Sequence, residues 1–346
     1  MKANAYGNGM LPIAKFLEHK KLCAYFGVAH TCEALKLRKN GISLPILNLV
    51  QPCCSSQELE CIINNEIEQA VSDVRFLACI NQKAAELSKK ALIHLHIDTG
   101  MGRGGTLIKD FDELLKMTAT CNNIKVVGVM THFSVADSLD RADLDYTDDQ
   151  IRKFKMIKQK VVRQFSSNEI IFHTSNSGGS PINLSSVFDM IRPRIAAYGY
   201  PEQDCGLGLE PIMELVSKIT LIKKFPKGHS IGYGRTYKAK HKNERIAIVP
   251  IGYGDGLNRL LSNKLKVIVN GEFAQCVGRI SMDQFAILVD ASARVGDEVI
   301  IIGKSGKVEV GVFDLADLLG SISYEVLCSL GGSSRVRRLY VYGTCV

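Results

Sequence analysis

The chain has 346 residues, of which 46% are hydrophobic and 23% charged, and its formal net charge is +8 at pH 7. That length exceeds the size at which one core keeps growing and points to two domains. No apolar run approaches the roughly 18–20 residues a membrane helix needs. The basic stretches at 152–163 and 238–245 read as a solvated helix face and a solvated loop rather than a nucleic-acid footprint. The cysteines, eleven and therefore odd in number, are scattered without a C-x-x-C pair. This pattern argues against a disulfide framework or zinc site and fits a reducing, cytoplasmic setting, and an N-terminus with no basic patch leading into an apolar stretch shows no export signal.

Residues 1–9, Met1-Lys2-Ala3-Asn4-Ala5-Tyr6-Gly7-Asn8-Gly9, set an amine and a phenol four positions apart and lead into an amphipathic stretch at 10–21. The expectation is a strand end turning into a helix. A lysine desolvated in such a turn becomes a nucleophile able to condense with an aldehyde cofactor, and a flexible terminal lysine is the competing reading. Short apolar runs follow at 22–29, 45–50, 67–71, 92–98, 125–132, 170–175 and 190–197, alternating with helical patterns at 31–39, 56–64, 76–90, 111–121, 147–165 and 181–187. Runs of that kind are expected where both faces of a parallel strand are covered.

Seven strands are one short of a closed (β/α)8 TIM-type barrel. The expected fold is nevertheless that barrel, with a first strand that would precede Lys2 and is missing or reduced to Met1 and Lys2. An open doubly wound sheet is the alternative. The barrel is preferred because Arg103, His132, Ser177 and Arg192 all fall at or just after strand runs, the rim where barrel loops gather function. The composition changes near 200–208, and beyond it short strands are expected at 212–223, 244–250, 265–269, 273–277, 285–289, 299–302 and 336–341, with one helix at 312–319. The expected domains are therefore an α/β barrel over 1–205 and a mostly-β domain over 206–346.

Several stretches carry chemistry. Asp98-Thr99-Gly100-Met101-Gly102-Arg103-Gly104-Gly105 contains G-x-G-x-x-G, but the next strand ends in Thr131-His132, not in the acidic residue a dinucleotide fingerprint requires. It reads as a glycine loop placing Arg103 on the rim. His132 ends a strand, where a hydrogen-bonded core histidine is the plain alternative. His173-Thr174-Ser175-Asn176-Ser177-Gly178-Gly179-Ser180 offers hydroxyls and amides to an anion. Arg192-Pro193-Arg194-Ile195 lies on the last expected barrel strand, where a buried charge needs a partner.

These stretches occur together with Gly232-Tyr233-Gly234-Arg235-Thr236-Tyr237, Ile251-Gly252-Tyr253-Gly254-Asp255-Gly256, Gly278-Arg279-Ile280-Ser281-Met282-Asp283-Gln284 and Ser323-Tyr324-Glu325-Val326-Leu327-Cys328, in one order along the chain. In that order they resemble the alanine racemases, pyridoxal 5'-phosphate enzymes with a (β/α)8 barrel, a C-terminal β domain and a head-to-tail homodimer. The resemblance begins at the lysine motif, ahead of which the family has roughly 35 residues, about one strand–helix unit with a lead-in.

The resemblance implies that Lys2 holds the cofactor and acts as one base, while Tyr233 from the partner subunit acts as the other. It implies tuning of that tyrosine through His132 and Arg192, and contact of Arg192 with the pyridine nitrogen. Tyr6, Asn176, Ser177, Arg194, Ile195 and Tyr324 are implied at the cofactor, the backbone of Arg194 and Ile195 serving its phosphate. Arg103 and Met282 are implied at the substrate carboxylate, and Tyr253, Arg259 and Asp283 at the entryway. No metal is implied. Three positions depart from the family pattern: Arg194 for glycine, Ser281 for cysteine, and His96 for a carbamylated lysine that supports the arginine. The implied activity is interconversion of L- and D-alanine for peptidoglycan. A serine or broader amino-acid racemase and an inactive fragment are the alternatives.

Overall fold

Six of the seven apolar runs expected in the first half are parallel strands in a computed structural model, which describes residues 1–165, 169–176, 188–201 and 208–341. They are β1 (Phe26–Val28), β2 (Ile46–Asn48), β3 (Ile67–Val71), β4 (Ala91–Asp98), β6 (Ile124–Met130) and β7 (Ile171–His173), hydrogen-bonded in that order, with the short β5 (Thr106–Leu107) added beside β4. β2 and β3 are buried at every position, as a sheet covered on both faces demands. Helices between the strands supply the cover. Val74–Glu86 buries Phe76, Leu77, Ile80 and Ala84 along one stripe, and it starts before the expected 76 because the Asp73 carboxylate accepts the Phe76 N–H at 2.8 Å. Arg141–Phe165 likewise starts before 147, behind Asp140, whose side chain accepts the Ala142 N–H. The helix expected at 181–187 lies outside the described residues.

The run at 190–197 is not a strand. Pro193 has no N–H to give a ladder, and Arg194 takes a left-handed φ of +49°, so the chain turns into a 3-10 helix, Arg194–Tyr198. Gly199 ends it at φ +83°, where a Cβ would stand 1.8 Å from the Glu210 carbonyl oxygen.

The opening stretch also differs from a strand running into an ordinary helix. Lys2–Tyr6 is a helical turn with φ between +51° and +57° at Ala3, Asn4, Ala5 and Tyr6. That handedness costs about 1–2 kcal/mol per L-residue and persists only where contacts over-determine it. On one side the Met1 nitrogen donates to the Gly27 carbonyl of β1 at 2.7 Å, and the Ala3 N–H to Glu33 at 2.7 Å. On the other, Gly7 lies so close to the helix Ser323–Gly332 that a Cβ would come within 2.2 Å of the Leu327 carbonyl oxygen.

Two compact units result: Met1–Ala3 with Met10–Pro211, and Asn4–Gly9 with Ile212–Val346. Position 205, where the sequence placed the domain boundary, lies outside the described residues. In the second unit β9 (Leu221–Phe225), β12 (Glu244–Val249) and β15 (Phe285–Leu288) form one antiparallel sheet. β8 (Leu215–Lys218), β13 (Lys266–Val269), β14 (Glu272–Gln275), β16 (Glu298–Ser305) and β17 (Val308–Val310) form another, and β10 (Ser230–Ile231) pairs with β11 (Tyr237–Lys238).

The single strand expected at 212–223 is two, because the chain leaves β16 for β12 around the buried Ile219. The run at 336–341 has no strand partner among the described residues. Besides the expected helix Val312–Leu319, Ser323–Gly332 is helical, which the sequence reading did not anticipate.

Candidate active site

The carboxyl ends of β4, β6 and β7 and the bend at 192 converge in the first unit. Asp98, ending β4, accepts the N–H groups of Gly100 at 2.8 Å and Gly102 at 2.9 Å, which folds the glycine loop back and leaves Arg103 exposed. Gly105 has to be glycine: its φ is +106° and a Cβ would sit 2.6 Å from the Asp98 nitrogen. Tyr146 from the long helix donates to the Gly100 carbonyl at 2.7 Å, fixing the loop from outside.

Arg192 is the hub. Its Nη2 donates to the carbonyls of Thr131 and Thr174, each at 2.7 Å, and lies 3.4 Å from His132 Nδ1, while Nη1 donates to His173 Nδ1. Burial, then the neighbouring Arg194, lowers its pKa to about 10, so it remains a cation at neutral pH. The same burial, with Arg192 as the next cause, depresses the histidines: His132 to about 2, His96 to about 4, and His173 well below its ordinary value. All three are neutral imidazoles around a guanidinium. His96, with Arg103 also raising the cost of its protonation, therefore adds no charge.

Gln150, fully buried on the long helix, holds the segment after β6. Its amide donates to the His132 carbonyl and to Thr99 Oγ1, both at 3.2 Å, and its oxygen accepts the Ser134 N–H at 3.1 Å. Thr99 and Thr131 join their hydroxyls at 2.8 Å. Asn176 is buried, with Nδ2 3.4 Å from the Phe133 carbonyl oxygen. Ser177 lies outside the described residues. Arg194 and Ile195 open the 3-10 helix. Sequence reasoning missed Thr131, Gln150 and the role of His173. The last stood in a quoted motif, but its register opposite Met130 was the fact needed to aim it at Arg192.

The second unit holds the other expected residues. Tyr233 stands on a 3-10 turn between Gly232 and Gly234, both near φ +67°, and is 71% exposed. Tyr253 and Met282 sit on adjoining loops, whose backbones join through Tyr253 N–H to Ser281 and Gly254 N–H to Met282. Arg335 ties the pair together by donating to Asp255 at 2.8 and 3.0 Å and to Asp283 at 2.8 Å. Ser281 keeps its hydroxyl inside its own turn, on the Gln284 carbonyl at 2.6 Å. Arg259 is exposed. Tyr6, buried, meets Tyr324 edge to face with ring centroids 5.6 Å apart.

Comparison with known proteins adds to this geometry. The family described as alanine racemase, N-terminal domain, matches residues 1–202, and its C-terminal domain matches 212–340. Alanine racemase of Clostridium perfringens (strain SM101) is 39% identical over 98% of this chain and 87% of its own length, and that of Treponema denticola 38% over 99% and 90%. Among solved structures, alanine racemase from a D-cycloserine-producing Streptomyces lavendulae superposes with a TM-score of 0.91 at 30% identity, covering 99% of this chain and 89% of that one. For alanine racemase of Clostridium difficile 630 the TM-score is 0.86 at 37% identity, with 95% and 84% covered.

Proposed function

The chain belongs to the alanine racemase family, and on that premise we propose that it interconverts L-alanine and D-alanine with pyridoxal 5'-phosphate as cofactor. The observation that carries this reading is the Arg192 guanidinium, a cation whose acceptors are two carbonyls and neutral imidazoles. A guanidinium has five N–H donors. Thr131, Thr174 and His173 engage three, which leaves a donor for a pyridine nitrogen. Such a donor offers a hydrogen bond and keeps its proton, so the ring nitrogen stays unprotonated and electron withdrawal through the ring is restrained.

Bound cofactor supplies an aldehyde for an amine and a ring that acidifies the substrate α-carbon. The protein supplies the rest. Lys2 Nζ is the anchoring amine and the base on one face. Tyr233 Oη of the partner subunit is the base on the other face, since inversion requires one group to remove the α-proton and another to return it from the opposite side. His132, neutral and with Nδ1 turned to Arg192, keeps its proton on Nε2, from where it would donate to that phenol oxygen and ease it toward its anion.

Ser177, Tyr6 and Tyr324, with the N–H groups of Arg194 and Ile195, hold the phosphate, and Asn176 belongs to the cofactor site. Arg103 and Met282 receive the substrate carboxylate, and Tyr253, Arg259 and Asp283 line its way in. Membership supports a cytoplasmic head-to-tail homodimer that feeds peptidoglycan, with the barrel ending near 205. Among the described residues no helix is long and apolar enough to cross a membrane.

The test pairs two readouts. Purified protein supplied with the cofactor is expected to develop its bound visible absorbance and to convert L-alanine to D-alanine, followed by optical rotation. Lys2→Ala is expected to lose the lysine-bound absorbance and turnover together. Wild-type protein that binds the cofactor but converts serine faster than alanine would overturn the substrate assignment.

A further inference from the structure

Behind Arg192 runs a line of buried polar groups drawn from three strands. His173 Nε2 on β7 lies 2.9 Å from His94 Nδ1 on β4, and His94 Nε2 lies 2.7 Å from Glu68 Oε2 on β3. His94 and His173 are fully buried and Glu68 is 5% exposed. β6 runs between β4 and β7, yet the two imidazoles meet across it, because the residue beside His94 on β6 is Gly128. A Cβ at Gly128 would stand 2.1 Å from His94 Nδ1. The glycine is a passage for the ring.

Proton bookkeeping along this line has one solution. A guanidinium can only donate, so His173 Nδ1, facing Arg192, carries a lone pair. A neutral His173 then bears its proton on Nε2 and donates to His94 Nδ1. His94 in turn bears its proton on Nε2 and donates to Glu68. Every hydrogen bond points the same way, from a half-buried cation through two neutral rings to a buried carboxylate. Burial and Arg192 hold His173 well below its ordinary pKa, which agrees with a neutral ring.

We propose that Glu68 and His94 are positioning residues for the racemase reaction, fixing the His173 tautomer so that its Nδ1 lone pair pins Arg192 in the cofactor site. This rests on the assignment of Arg192 to the pyridine nitrogen. Carboxylate–imidazole pairs orient metal-bound histidines by the same logic, a fixed tautomer giving a fixed ring. Here the oriented partner is a guanidinium.

The decisive measurement is two-bond 1H–15N correlation of 15N-histidine-labelled full-length protein, without and with pyridoxal phosphate, His94 and His173 being assigned by substitution. Both rings are expected as neutral Nε2–H tautomers. Glu68→Gln keeps an acceptor for His94 and is expected to preserve both tautomers and kcat within about twofold. Glu68→Leu removes the acceptor and is expected to mix the tautomers of both rings and lower kcat about tenfold with KM nearly unchanged.

A proton on His173 Nδ1 in the wild type, or unaltered tautomers in Glu68→Leu, would overturn the proposal. If Glu68→Leu does not fold, the wild-type spectrum still decides the direction of the chain, and Gly128→Ala, which pushes His94 off His173, is expected to mix the tautomers with Glu68 intact. Expected tautomers in a wild type that fails to racemise alanine would refute the functional reading and leave this arrangement standing.

Discussion

Arg192 and Tyr233 occupy opposite physical settings. The Arg192 guanidinium is held by two carbonyls and by histidines kept neutral by burial, so its place is decided by many partners at once. Tyr233 stands 71% exposed on a turn of two left-handed glycines, so its place is decided by backbone alone. The first arrangement is bought with desolvation and returns rigidity. The second leaves a phenol exposed, which is the setting that the proposed role of Tyr233 as a base for a partner subunit requires. Structure-breaking and activity-breaking substitutions should therefore separate between the two.

The largest effect is expected at the buried end. Arg192→Leu takes a donor from the Thr131 and Thr174 carbonyls and from His173 Nδ1, and it should destabilise the first unit by about 3–5 kcal/mol. Urea unfolding followed by far-UV circular dichroism measures this. A change below 1 kcal/mol would mean that the network is not a structural unit. Tyr233→Phe is the complement: stability within about 0.5 kcal/mol of wild type, with kcat for alanine racemisation lower by at least about 100-fold. Steady-state rates in both directions, beside a melting curve, check the split.

Acid should sharpen the same contrast. His132 and His96 are depressed to about 2 and about 4, and His173 lies well below its ordinary value. The unfolded chain therefore binds protons that the folded site refuses once pH drops below about 6.5. Stability conferred by these neutral rings is complete above that pH. It is expected to fall as pH drops toward 4, by up to about 1.4 kcal/mol per pH unit for each ring, and to change little between pH 7 and 8. Urea midpoints across pH 4–8 test this, and a shallower acid slope in His132→Gln would assign one ring's share. The smallest effect is expected at Arg194, whose left-handed φ of +49° suits glycine better. Arg194→Gly should raise stability by about 0.5–1 kcal/mol, read as a shift in the urea midpoint.

Much of the fold was legible because short apolar runs such as Ile46–Asn48 and Ile67–Val71 repeat between amphipathic helices, and burial on both faces leaves that mark on composition. The misreadings share a cause. The run at 190–197 is apolar enough for a strand, but Pro193 and the φ of Arg194 forbid a ladder there. The run at 336–341 is apolar at four of its six positions, but pairing depends on a neighbour that no local pattern specifies. Candidate residues were found by motif. Their contacts were not: His173 was visible in its motif, whereas Glu68, His94 and Gly128 lay in stretches that read only as apolar strand.

The sequence by itself determined which side chains are available and on which strands or loops they ride, because periodicity and turn chemistry act within a few residues. It also determined family, through the order of motifs along the chain. Tertiary structure decided how those side chains meet. The left-handed turn after Lys2 exists only because Gly27, Glu33 and Leu327, far along the chain, crowd or bond it. The neutrality of His132 and His173 likewise exists only because the fold excludes water and sets Arg192 beside them. Strain and desolvation depend on what surrounds a residue, and for this site the surroundings come from distant strands.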